Sequence, residues 1–125
     1  MAARKRLFIP AKRGDTLLLE FSVMEDGEEV NLSEASARMQ LRDMKTDQQV
    51  VAATSVAGHL TLLSDGCEGG FPCKVQVSVP YETMEAVEPG QYLADVEFTF
   101  PSGVRRSTYT FVVVVEQDYT YDEAP

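Results

Sequence analysis

Apolar residues recur at every second position through much of this chain, and that period narrows the possible folds more than any other feature. Over 16–24, Leu17, Leu19, Phe21 and Val23 fall on one side, with Leu18, Glu20 and Ser22 on the other. An extended backbone turns successive side chains to opposite faces, so such a stretch offers one face to a core and one to water. Ala37, Met39 and Leu41 repeat the pattern against Arg38, Gln40 and Arg42. Val75, Val77 and Val79 do the same over 74–79, and Tyr92, Ala94, Val96, Phe98 and Phe100 over 91–100. Shorter strands are expected at 50–53 and 58–63, and a closing strand over 104–116. Phe111–Val115 in that last strand is apolar on both faces, so part of it is expected to be covered on both sides.

Turn chemistry separates these segments. Asp26-Gly27 lies inside an acidic stretch between two apolar runs, the pattern of a two-residue hairpin loop. Residues 44–49 are a polar turn, and 64–72 holds three glycines and a proline, which marks a loop. Pro80 has no N–H to give a ladder and ends its strand. Residues 81–87 are the one helical segment expected, closed by Glu88-Pro89-Gly90. About seven or eight short strands with one helical turn argue for an all-β, antiparallel β-sandwich, with a barrel as the second choice. Tyr92 follows the helical turn and Pro-Gly at a strand start, the place where immunoglobulin-like sandwiches use a tyrosine hydroxyl to hold a corner between sheets. The expected architecture is therefore immunoglobulin-like, with Tyr92 as a structural corner.

The chain has 125 residues, enough for about one domain. Its net charge of −9 is unevenly spread: residues 1–13 hold five basic and no acidic side chains, and the remainder six basic and twenty acidic. The expected division is a basic arm over 1–13, a sandwich over 14–116 and a polar, acidic tail over 117–125. So acidic a body repels phosphate backbones, which makes nucleic acid an unfavourable partner. No apolar run approaches the ~20 residues of a membrane helix, and the first ten residues are too short in apolar content for a secretory signal. Arg4, Lys5, Arg6, Lys12 and Arg13 read as a solvated tail or, as the competing reading, as candidate docking residues for an acidic neighbouring protein.

Material for catalysis is scarce. His59 is the only imidazole, beside Gly58 at a strand edge, and is expected to be structural. Glu25, Asp26, Glu28 and Glu29 lack the alternating ligand spacing of a calcium loop. Gly69-Gly70 lacks the lysine of a phosphate loop, and no pair among twenty acids singles itself out for glycoside hydrolysis. Cys67 and Cys73 flank five residues and can close a small disulfide if their Cα atoms come within ~7 Å; in a bacterial cytoplasm both are expected as thiols. No catalytic residue, cofactor or metal is expected.

The order of motifs resembles a phage pattern. It runs from Arg13-Gly14-Asp15-Thr16 and its strand, through Asp26-Gly27, Val30-Asn31-Leu32-Ser33 and Ala37–Arg42. It continues through Glu88-Pro89-Gly90-Gln91-Tyr92-Leu93-Ala94-Asp95-Val96, Ser102-Gly103 and Phe111–Val114. The pattern is similar to the immunoglobulin-like N-terminal domain of siphophage baseplate upper proteins and to small tail-associated phage proteins. The resemblance covers roughly residues 12–120 and rests on turns and strands. It implies a non-enzymatic structural protein of the tail, baseplate or neck, assembled in the host cytoplasm. Multiple copies would contact other virion proteins, with no membrane partner. A capsid decoration protein is the nearest alternative. A carbohydrate-binding adhesin is another, for which Tyr81, Tyr109, Tyr119 and Tyr121 would have to replace the missing tryptophans.

Overall fold

The alternating segments extend as strands and sort into two facing sheets in a computed structural model, which describes residues 7–108 and 110–117. In chain order the strands are β1 (Phe8–Lys12), β2 (Leu17–Ser22), β3 (Met24–Glu25), β4 (Glu28–Glu29), β5 (Ser36–Asp43) and β6 (Gln49–Thr54). They continue as β7 (Leu60–Leu63), β8 (Lys74–Val79), β9 (Gly90–Thr99), β10 (Arg105–Ser107) and β11 (Phe111–Glu116), with α1 (Tyr81–Met84) before β9. One sheet has the order β1-β11-β9-β5-β6, with β10 also on β9; the other has the order β2-β8-β7. Strands β3 and β4 form a small ladder of their own, joined through Asp26 and Gly27 at φ 52° and 80°. Both central positions of a type I′ turn need positive φ, which glycine and aspartate tolerate best.

The inward rows are those the alternation marks. Met39, Leu41, Val51, Ala53, Tyr92, Val96 and Phe98 from one sheet meet Leu17, Leu60, Val75, Val77 and Val79 from the other in a single buried cluster. Phe21 and Phe111 touch across the layers, edge to face, with ring centroids 6.1 Å apart. Neighbouring β2-β8-β7 and β11-β9-β5-β6 reproduce the two-sheet division of an immunoglobulin-like sandwich, and two separate sheets replace the barrel considered from sequence. Among the described residues no helix is long and apolar enough to cross a membrane.

Three local features depart from the sequence reading. Residues 8–12, expected in an arm outside the sandwich, form β1 and pair in parallel with β11, Phe8 opposite Val112 and Lys12 opposite Glu116. Ile9 and Ala11 pack against the core, which is what draws the segment in. The rest of the arm (residues 1–6), with Arg4, Lys5 and Arg6, and all but Gln117 of the tail lie outside the described residues.

The closing strand is two strands. Arg105 pairs with Thr99 and Ser107 with Glu97, whereas Phe111 pairs with Ala94, a shift of one residue in register. Thr108 occupies the break: its N–H donates to the Val96 carbonyl, and its hydroxyl accepts from the Val96 N–H, both at 2.9 Å. A one-residue slip swaps the faces. Arg106 therefore stands in the row of Phe98, while Phe111, Val113 and Val115 take the inward positions further on. Val112, on the other face of β11, is fully buried too, so this stretch is covered on both sides.

Cys67 and Cys73 are joined as a disulfide with Cα atoms 6.0 Å apart, which corrects the expectation of thiols. The loop turns back on itself through Cys67 N–H to Ser64 and Gly70 N–H to Cys67, and this reversal brings the pair within bonding range.

Candidate functional site

The two sheets do not close on each other along β2. Among the described residues this strand is the edge of its sheet, and its inward residues lose burial along its length: Leu17 is buried, but Leu19 and Phe21 are only partly so. Beyond them a groove of about 1200 Å³ runs between the layers, floored by Leu32, Phe98 and Phe111. Leu7, Leu18 and Met24 line its rim, each more than half exposed. An unpaired strand edge beside exposed apolar side chains is a template for a further strand, and nothing on β2 except Glu20 blunts it.

The groove mouth is acidic. Glu20, Glu25 and Asp26 border it, with Arg106 as its one cation among the described lining residues. Arg106 is ion-paired with Glu25, tying β10 to the β3–β4 hairpin across the opening. A shallower cleft of about 520 Å³ adjoins the groove, sharing Glu25, Asp26, Phe100 and Arg106 with it and lined also by Glu28, Ser102 and Val104. The hairpin's fourth acid, Glu29, also lines this cleft and accepts the Glu68 N–H at 2.9 Å, inside the disulfide loop.

Of the docking residues named from sequence, Lys12 is exposed at the end of β1. Arg13 is committed within the fold. Its Nε donates to the Glu85 carbonyl at 3.0 Å and its Nη2 pairs with Glu88 at 3.4 Å, so it clamps the chain that follows α1. Tyr92 lies under the same turn, and its buried hydroxyl donates to the Glu88 carbonyl. Burial first, and then the Asp43 and Glu88 carboxylates, push the Tyr92 phenol upward despite Arg13, so the hydroxyl keeps the proton that the corner bond needs. Asp43 itself is held below the usual carboxylate range by the backbone N–H groups of Lys45 and Thr46, which shape the β5–β6 turn.

His59 Nδ1 accepts the Thr54 N–H at 3.4 Å and helps close the β6–β7 turn. Tyr81 is exposed on α1; Tyr109, Tyr119 and Tyr121 lie outside the described residues. On the outward face of the larger sheet, Arg38 bonds Glu97 at 2.9 Å, and burial followed by the Glu97 charge raises the Asp95 carboxyl. Sequence reasoning missed the groove. Its signal was present as the acidic hairpin and the outward Leu18, but only strand order shows that β2 lacks a second neighbour.

No family model matches the chain, and no curated protein matches it. Among solved structures it is similar to CopC from Methylosinus trichosporium OB3b, at 14% identity over 93% of this chain and 88% of that one, with a TM-score of 0.49. It is also similar to the ZIG-8–RIG-5 IG1–IG1 heterodimer, at 10% identity over 90% and 83% with a TM-score of 0.41. AggA, the major subunit of aggregative adherence fimbriae type I from Escherichia coli, is 18% identical over 88% and 90%, with a TM-score of 0.38. These are likenesses of fold. The class that strand order defines is an immunoglobulin-like β-sandwich domain.

Proposed function

We propose that this protein is a non-enzymatic assembly module of a phage virion, in the tail, baseplate or neck, that attaches to neighbouring virion proteins in a symmetric, multi-copy assembly. The observation that carries the reading is the open apolar groove along the unpaired β2 edge. A neighbour that lays an extended segment there gains main-chain hydrogen bonds from the edge and buries apolar side chains in the groove. Glu20 and Asp26 at the mouth favour basic residues in that segment. Arg4, Lys5, Arg6 and Lys12 offer a second contact of opposite sign. The resemblance of the motif order to that of baseplate upper proteins is what suggests the phage setting.

Purified particles, fractionated into heads and tails and cross-linked, test this. The protein is expected on tails, with cross-links between the β2 region and another tail protein. Leu18→Glu is expected to lower incorporation severalfold without changing the melting temperature of the isolated protein, because Leu18 is 63% exposed. Recovery on heads would favour capsid decoration, and absence from both fractions would end the virion reading.

A further inference from the structure

We infer that Glu29, Cys67 and Cys73 form a zinc-type divalent metal site when the disulfide is reduced. Their ligand atoms all lie within 4.8 Å of one another, and among the described residues they are the one such group of metal-ligating side chains. Glu29 approaches from the β3–β4 hairpin. Its Oε1 accepts the Glu68 N–H, and its Oε2 lies 3.6 Å from Cys73 Sγ. The carboxylate is therefore aimed at the sulfurs from a direction outside their loop.

The sulfur–sulfur bond is not the frame's only restraint. Cys73 is held on both sides by backbone hydrogen bonds, its N–H to Leu63 at 3.0 Å and its carbonyl from Val23 at 2.8 Å. Pro72 accepts from Leu32 at 2.8 Å and Cys67 donates to Ser64 at 3.0 Å. Reduction by a dithiol passes two electrons and two protons to the pair: the S–S bond breaks, two S–H bonds form, and the dithiol closes to its own disulfide. The metal then displaces both thiol protons to solvent. With Zn–S near 2.3 Å, two thiolates of a tetrahedral site stand about 3.7 Å apart. Rotation about the Cα–Cβ bonds reaches that separation from Cα atoms 6.0 Å apart.

Charge favours the ion. Two thiolates and a carboxylate this close repel one another, and a divalent cation removes the repulsion. Thiolate ligands select zinc over calcium or magnesium. Three protein ligands leave one position for water. The partly buried Cys67 and Glu29 leave the site reachable, while Cys73 is buried. The proposal holds whether or not the protein belongs to a virion.

The test uses the full-length protein, reduced with a phosphine under nitrogen and titrated with cobalt(II) alone. One cobalt per chain is expected, with a near-ultraviolet thiolate-to-cobalt charge-transfer band and the visible bands of four-coordinate cobalt, both displaced by zinc(II). The unreduced protein is expected to show neither. Cys67→Ser is expected to weaken the charge-transfer band and Glu29→Gln to lower cobalt affinity about tenfold or more. Glu29→Asp recovers part of that loss. Circular dichroism melting establishes that each variant is folded. A folded, reduced protein without the charge-transfer band overturns the site, and an affinity unchanged by Glu29→Gln removes the carboxylate from it.

Discussion

Tyr92 shows how much one side chain decides at the start of a strand. Its ring is buried with the inward row of β9, while its hydroxyl reaches back to the Glu88 carbonyl, and Arg13 reaches the same turn from the other end of the chain. A neutral hydrogen bond of this kind contributes about 1 kcal/mol net. Tyr92→Phe keeps the packing and removes the bond, so urea unfolding is expected to show a loss of about 1 kcal/mol with an unchanged slope. A loss below measurement would mean that the corner is held by packing alone. The position of Tyr92 was legible, because helical turn, Pro-Gly and tyrosine follow one another in sequence. The part played by Arg13 was not: it lies 72 residues from Glu85 and looked like one charge among five in a basic arm.

Among elements, the last two strands carry the clearest lesson. Residues 104–116 read as one strand because no glycine or proline interrupts them after Gly103. Thr108 inserts the shift of register by letting its hydroxyl take the place of a backbone carbonyl opposite Val96. Thr108→Val has the same shape without the acceptor and leaves the Val96 N–H unpaired. Such a group costs ~1–3 kcal/mol when it is buried. Thr108 is only partly buried, so a loss near the lower end, about 1 kcal/mol, is expected by thermal or urea unfolding. Hydrogen exchange at the Val96 amide should quicken with it; unchanged protection there would show that another acceptor takes over. The β2 edge is the complementary case. The alternation of Leu17, Leu19 and Phe21 was plain, but alternation is a property of one strand and does not say how many neighbours that strand has.

At the scale of the molecule, one covalent staple closes the loop between β7 and β8 beside the two packed sheets. The Cys67–Cys73 loop has a sequence separation of 6, so chain entropy assigns the bond about 2 kcal/mol. Reduction and alkylation are expected to lower unfolding free energy by about that amount while leaving the far-ultraviolet circular dichroism of the sheets unchanged. Collapse of the spectrum instead would mean that the bond holds the sandwich itself. What the sequence determined alone was parity over β2, β5, β8 and β9: which of their side chains face inward, where turns reverse the chain between strands, and therefore a layered all-β architecture. Those follow from local geometry, since a pleated backbone alternates its faces whatever its partners. The tertiary structure alone decided partnership, namely that β1 joins β11, that β2 is left with an open edge, and that Glu29 meets the two cysteines. Each of these depends on residues far apart in sequence, whose pairing or lack of it is set by how the finished layers stack.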